Sequence, residues 1–446
     1  MRLTAFQSDK GDCLLLESND GENRILVDGG MRRAYSEHVS PALGALRTAK
    51  KDIDVAYISH IDEDHISGML QLLDDEADWR VHEHQIKNGN PKHKEPVNPR
   101  PPKIKQIWHN SFHDQVKDNT GEIGDMLAAT ATILLGSSDA GIREIGDERR
   151  ELATSIPQAL QVSSRIKPGQ LNIPLNRPFK GKLMMADSGG PSTISIGSMD
   201  LTVIGPFAED VDNLRHDWNE WPKKNQATVK RLRSHANSDE DQLRAGSVEG
   251  LFDGISSRAA ALAEMEVALR DMGANGLALK VLGNRSKVTA PNLASLMFFV
   301  KEGKQTMLLT GDGHWKDILN GLEGHKLLKG GKLHVDVLKA QHHGSEHNFK
   351  DDFCDVVTAD DYVFCGNGQH ENPDLDVLQM VVDRRIAAPD RKAYRFWFNS
   401  SSTSSFDAKG RAHMKKVETL MAKLKTASGG KATSKFLNNA SSMKIV

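Results

Sequence analysis

The sequence predicts an α/β fold from three features. Short apolar strands punctuated by glycine open the chain, a strand passes directly into a helix near residue 60, and strands, turns and helices alternate again from about Ser295. The opening strands are MRLTAF, CLLLES and RILVDGG, separated by the turns DKGD and NDGEN, so a β-meander closes at Asp28-Gly29-Gly30. Val55 to Ile58 forms the next strand. The residues after it place Ile66, Met69, Leu70, Leu72 and Leu73 at near-helical spacing.

The segment KNGNPKHKEPVNPRPPKIK carries six Lys or Arg against one Glu and reads as an exposed basic loop. Residues from about Ile123 to Val162 are helical in composition, LTVIGP is strand-like, and Ala208 to Gly250 is a charged insertion. ISSRAAALAEMEVALRDMG predicts a helix ending at Gly273. SLMFFVKEGKQTMLLTGDG reads as a hairpin turning through Glu302 to Lys304. HVDVLKAQHHGS and DYVFCGNGQHENP are strands running into polar loops, and DLDVLQMVVDRRI is a helix. A last amphipathic helix aligns Met414, Val417, Met421 and Leu424, and the chain from about Thr426 reads as a frayed, flexible tail.

Composition narrows the function. Lys and Arg total 58 against 60 Asp and Glu, so no global field draws the molecule to nucleic acid or an anionic membrane, and any such preference is local. Three scattered cysteines are too few for a disulfide framework or a cysteine-rich zinc cluster. The first twenty residues lack an apolar signal core, and no run approaches the roughly 20 apolar residues of a membrane span. A soluble, cytoplasmic enzyme is the expectation.

The chemistry concentrates in SHIDEDHISG, where His60, Asp62, Asp64 and His65 follow a strand end within six residues. One such histidine is ordinarily just solvated. Several ligand-type groups in one turn repel unless a cation relieves them, so the stretch predicts metal binding.

This stretch resembles the His-x-His-x-Asp-His signature of the metallo-β-lactamase fold, with Asp62 in place of the second histidine. Its trailing Ile-Ser-Gly looks most like the cytoplasmic hydrolase domain of competence proteins that internalise DNA. GDCLLLES…RILVDGG, NLASLMFFVKEGKQTMLLTGDG, DVLKAQHHGS and CGNGQHENP resemble further family segments in the family's order, over residues 1 to 75 and about 275 to 385. The resemblance implies a four-layer αβ/βα sandwich over residues 1–405, with insertions at about 76–200 and 207–274 and a C-terminal helix and tail at 406–446.

It also implies two divalent metal ions, zinc or manganese. His60 and Asp62 would hold one and Asp64 and His65 the other, with Asp312 as bridge. The oxygen of Asp62 tilts the site toward manganese. An isolated third histidine for the first metal is His109, with His113 as the alternative. Strand alternation makes His342 the ligand and His343 a substrate contact or proton shuttle. Asp64 and His343 are thus the expected catalytic residues. Asp28 is expected to support the ligands from behind. Asn367 and His370 are expected substrate contacts, although Glu371 and Asn372 separate His370 from Pro373, where the family has histidine and proline adjacent.

Such a centre cleaves phosphodiesters, lactones, thioesters or β-lactams alike. The basic loop, the run KKNQATVKRLR and the neighbouring Trp108, Trp218 and Trp221 favour a phosphodiesterase or nuclease acting on DNA or RNA. The alternatives are a hydrolase of a small ester, lactone or thioester, which requires an apolar pocket, and a non-catalytic binding module that retains the fold.

Overall fold

Two mixed β-sheets pack face to face in the computed structural model, which describes residues 1–110, 155, 158–212, 294–388 and 392–446. The first sheet has six strands in the order β14-β1-β2-β3-β4-β5: β1 Arg2–Phe6, β2 Leu14–Glu17, β3 Arg24–Val27, β4 Val55–Ile58, β5 Ile107–His109 and β14 Ser442–Lys444. The second has eight in the order β13-β12-β11-β10-β9-β8-β7-β6. These are β6 Thr193–Ile196, β7 Met199–Gly205, β8 Met297–Glu302, β9 Gln305–Leu309, β10 Leu333–Lys339, β11 Val357–Phe364, β12 Tyr394–Phe398 and β13 Ala432–Phe436. All of them lie in one unit, Met1–Asn110, Gln161–Ala208 and Pro291–Val446. A second unit, Ser111–Leu160 with Glu209–Ala290, falls almost wholly outside the described residues, as do His113, Trp218, Trp221, the run 223–233 and the helix expected before Gly273.

Alternation along the strands builds the layers. Leu14, Leu16, Ile25, Val27, Val55 and Tyr57 join Phe298, Val300, Met307, Leu309, Val337 and Trp397 in the core between the sheets. On the other face of the eight-stranded sheet, Tyr362, Phe364, Phe396, Phe398 and Phe436 form a ladder of stacked rings. There they meet α3 Trp315–Gly324, α4 Asp351–Val356, α5 Leu375–Ala387 and α6 Ala408–Ala427. Each of the fully buried phenylalanines among them, Phe364, Phe396 and Phe398, contributes about 1.5–3 kcal/mol. Outside the six-stranded sheet lie α1 Ser40–Thr48 and α2 Glu63–Lys87. The mixed α/β fold expected from the sequence is therefore present. The stripe of Met414, Val417, Met421 and Leu424 is buried as its spacing predicts.

Two expectations are corrected. The tail is not frayed: β13 extends the eight-stranded sheet beside β12, and β14 pairs with β1 at the edge of the other sheet. Backbone pairing and the burial of Leu437 and Ile445 order a segment whose Ser, Gly and Lys content suggested otherwise. The stretch 76–200, read as inserted, also supplies structural parts, since α2 runs on to Lys87 and β5 and β6 complete the two sheets. Among the described residues, no helix is long and apolar enough to cross a membrane.

Candidate metal centre

Parallel pairing aligns the C-terminal ends of β3, β4 and β5 in one sheet and of β9, β10, β11 and β12 in the other. These ends and the loops leaving them carry Asp28, His60, His109, Asp312, His343 and Cys365. This is the edge where α/β sheets generally place their chemistry. The sheets are joined there by the backbone N–H of Leu296, which donates to the Ser59 carbonyl at 2.8 Å, and by the Tyr57 hydroxyl, which donates to the Leu296 carbonyl.

Glycines set the depth of α2. A Cβ on Gly68 would lie 2.0 Å from the Gly29 carbonyl oxygen, so the first turns of the helix fit directly against the loop after β3. Backbone bonds from Gly29 to His65 and from Gly68 to Gly30, both 2.9 Å, fasten the contact. This close approach brings His65 onto Asp28, and it explains why glycines flank both motifs.

Four imidazole Nε2 atoms converge on one oxygen, Oδ2 of Asp312: His65 and His343 at 3.4 Å, His60 at 3.8 Å and His342 at 3.9 Å. Asp64 joins them, with Oδ2 3.0 Å from His343 Nε2 and Oδ1 3.8 Å from His65 Nε2. Asp62 Oδ2 stands 3.5 Å from His60 Nε2. His109 ends β5, in register with Ile58 of β4, and is fully buried. Burial, with a smaller contribution from His60, lowers its pKa to about 3, so its ring is neutral.

The opposite ring nitrogens are held from behind. His343 Nδ1 donates to the Cys365 carbonyl at 2.7 Å, which fixes the proton on that nitrogen. Asp28 Oδ2 accepts from His65 Nδ1 at 3.0 Å and from the Ser59 hydroxyl at 2.7 Å. The Ser59 oxygen lies in turn 3.0 Å from His60 Nδ1. Each pairing leaves Nε2 to face the centre. Among the described residues, His60 Nε2, His65 Nε2 and both ring nitrogens of His109 are buried without a hydrogen-bond partner, as befits donors arranged for a metal rather than a polar core. The field agrees. Burial opposes charge on His65 and His343, yet Asp312 and neighbouring carboxylates raise His65 well above its ordinary value and His343 to about 10. Burial would likewise raise Asp64 and Asp312, but the imidazoles hold both well below the usual carboxylate range. A site that attracts a cation this strongly suits divalent metal.

The structure thus brings together His60, Asp62, Asp64, His65, Asp312 and His343, with Asp28 behind them. The histidine pair is not arranged as strand alternation predicts. β10 ends at Lys339, and His342 and His343 both take left-handed backbone, φ 45° and 55°, so strand alternation does not apply to them. His343 turns inward and is buried, whereas His342 stays a quarter exposed with Nδ1 on Asn348. Asn367 is buried, its amide donating to Asp9 and its oxygen accepting from the Gln369 backbone, so it braces a loop. His370 lies on the exposed surface of the same loop. Trp108 is fully buried against Phe298 and is not a platform for bases. The basic loop is partly neutralised: Arg100 pairs with Glu76 and Glu83, and Lys105 with Asp54.

Two residues of the centre were not read from the sequence. Asp12, His65, Asp312 and His343 present ligand-type atoms all within 4.8 Å of one another, and Lys339 forms an ion pair with Asp12. Asp12 faces the Nδ1 sides of His343 and His65, at 3.3 and 3.9 Å, and therefore stands behind the rings.

Fold and site together define an αβ sandwich with a histidine–carboxylate centre suited to divalent metals. The sequence model of the Metallo-beta-lactamase superfamily matches residues 9–149, the span that holds Asp12, Asp28, the 60–65 stretch and His109. Comparison with curated proteins gives no match. Among solved structures the chain is similar to a point mutant of the CmlA beta-hydroxylase, with 9% identity and a TM-score of 0.32, over 100% of this chain and 53% of that one. The chain therefore spans about half the length of that structure, and a likeness at this level bears on neither fold nor activity.

Proposed function

We propose that the chain is a metal-dependent phosphodiesterase acting on nucleic acid. The observation that carries its metal-dependent hydrolase core is the convergence of Nε2 atoms on Asp312 Oδ2, with the opposite nitrogens of His60, His65 and His343 engaged from behind. His60, Asp62 and His109 would hold one ion and Asp64, His65 and His343 the other, with Asp312 shared. Two divalent ions in such a site supply a hydroxide nucleophile at neutral pH and stabilise charge on the scissile group.

The chain's own residues do the rest. Asp28, Ser59 and Cys365 keep the imidazole lone pairs aimed inward. Asn348 donates to the Asp312 and Gly313 carbonyls at 2.9 and 3.2 Å, so its oxygen accepts the His342 Nδ1–H at 2.8 Å. His342 Nε2 is then the basic nitrogen, at the accessible rim. Burial holds the pKa of His342 below its ordinary value, against the pull of Asp312, so this nitrogen accepts a proton near neutral pH. The resemblance of the 60–65 stretch to the competence-protein hydrolases supports phosphodiester over ester substrates. Exposed Lys415, Lys416 and Lys423 on α6 support a polyanion.

The test loads the protein with manganese or zinc and offers bis(p-nitrophenyl) phosphate, single- and double-stranded DNA, RNA, and a lactone and a thioester. Cleavage of the phosphodiesters by the unaltered chain, with loss of at least a hundredfold in Asp64→Ala and Asp312→Ala, is expected (about 10² or more on removing a charge-stabilising group). Equal activity in the variants would remove these residues from the site. Turnover of only the lactone or thioester would overturn the substrate class.

A further inference from the structure

We propose that Lys339 is a positioning residue of the candidate centre, an internal ammonium that ties back one oxygen of Asp312 so that the other faces the imidazoles. This rests on the metal-centre reading above. Lys339 is the last residue of β10 and only 2% exposed. Its Nζ pairs with Asp12 Oδ2, lies 3.6 Å from Asp312 Oδ1 and donates to the Gly311 carbonyl at 3.1 Å. Burying an ammonium is unfavourable by several kcal/mol unless it is well paired, and an apolar side chain of similar length would fill this strand position without that cost. The arrangement therefore calls for an account beyond packing.

The two oxygens of Asp312 provide it. Oδ1 faces the ammonium, and Oδ2 faces four Nε2 atoms at 3.4 to 3.9 Å. Remove the ammonium and the carboxylate is free to turn both oxygens toward the imidazoles, which changes the number and direction of its donor atoms. Lys339 also fixes Asp12. With Oδ2 on Nζ and Oδ1 3.3 Å from His343 Nδ1, Asp12 stays behind the ring although its ligand atom lies within reach of His65, Asp312 and His343. One side chain thus determines how Asp312 enters the ligand set and keeps Asp12 out of it.

The experiment titrates the chelator-stripped full chain with cobalt(II) alone, following ligand-field absorption and binding heat. The unaltered chain takes up two equivalents. Lys339→Met weakens one equivalent about tenfold or more, in the range of supporting-shell substitutions, and shifts the ligand-field bands. Asp12→Asn removes the carboxylate behind the His343 and His65 rings and so weakens binding as well, but it keeps the ammonium beside Asp312 Oδ1, and its ligand-field bands stay those of the parent. The double variant Asp12→Asn/Lys339→Met removes the buried pair as a unit, a change proteins commonly tolerate, and it repeats the cobalt defect even where the single Lys339 variant does not fold. A Lys339→Met or double variant that titrates like the parent overturns the proposal, as does Asp12→Asn with the same defect and the same bands as Lys339→Met. Failure of the unaltered chain to bind cobalt(II) instead overturns the metal centre itself, and the role of Lys339 with it.

Discussion

Asp28 Oδ2 lies 3.0 Å from His65 Nδ1, on the side of the ring away from Asp312. Asp28 adopts a left-handed backbone, φ 54°, which asparagine also tolerates, so Asp28→Asn tests the chemistry without disturbing the turn. With Asn Oδ1 on the Ser59 backbone N–H, its Nδ2 donates toward His65 Nδ1 and drives the ring proton onto Nε2, into the centre. Metal affinity should fall about 10- to 100-fold while the thermal midpoint of the metal-free protein stays close to the parent's. Competition against a fluorescent chelator measures the first quantity and calorimetry the second.

The two adjacent histidines should separate cleanly. His343→Ala removes a buried Nε2 from the cluster, and loss of an equivalent of bound metal is expected by elemental analysis. His342→Ala should retain both equivalents and lower kcat about 100-fold, the usual scale of a lost acid–base group. Because burial depresses the pKa of His342, the rate of the parent should rise with pH through a midpoint below 6.5 as Nε2 is deprotonated. That acidic limb should be missing from the His342→Ala profile. Metal loss in His342→Ala with retention in His343→Ala would restore the order that strand alternation suggests.

Away from the centre, Asp75 is a stability titrator. It accepts from Gln71 at 2.7 Å and from Asn98 at 3.0 and 3.1 Å, but burial, with Asp78 and Asp74 nearby, raises its pKa to about 6. The unfolded carboxyl titrates near its model value of 3.8 and the folded one near 6, so the folded state binds the proton more tightly. Stability is therefore greatest below about pH 4 from this group and declines as pH rises to about 6. Asp75→Asn should be more stable than the parent at pH 7.5, by about 1 kcal/mol after allowance for screening. The gap should close toward pH 4. Urea midpoints at the two pH values measure it, and a gap that does not change with pH would show that Asp75 titrates normally.

Strand ends and spacing made much of the architecture legible. The glycine turns around β1 to β3, the β8–β9 hairpin and the buried stripe of α6 are local patterns, and each appears where its residues place it. The 60–65 stretch was readable because four ligand types crowd one turn. What stayed hidden depends on distant pairing. Asp12 looks like a turn residue until β10 brings Lys339 beside it, and nothing local shows that a lysine ending a strand is buried. Strand alternation does not orient His342 and His343 for a related reason, since the chain leaves the extended conformation before it reaches them. The tail lacks an apolar signal because β13 and β14 are edge strands, half-exposed and held largely by backbone bonds.

The nucleic-acid reading can be separated from phosphodiester chemistry on α6. This helix carries six Lys or Arg against the single Glu418, and Lys415, Lys416 and Lys423 line an exposed groove with Leu375 and Leu420. Lys415 is paired with Glu418 at 3.3 Å, so the charges to reverse are those of Lys416 and Lys423. The first turn of the helix fits against the loop after β11, where Gly368 abuts Gly410, so the groove begins beside the loop that follows Cys365. A strand tracking this face would contact the two lysines through phosphates and release counterions from both. The variant Lys416→Glu/Lys423→Glu should lower kcat/KM on single-stranded DNA about tenfold at low salt and reduce the log–log salt slope by about 1.4, from ~0.7 per phosphate contact. Turnover of bis(p-nitrophenyl) phosphate, too small to reach the helix, should not change. Equal loss on both substrates would mean that the substitutions disturb the fold. An unchanged salt slope on DNA would mean that α6 is a solvated face and that the polymer, if it is the substrate, takes another path to the centre.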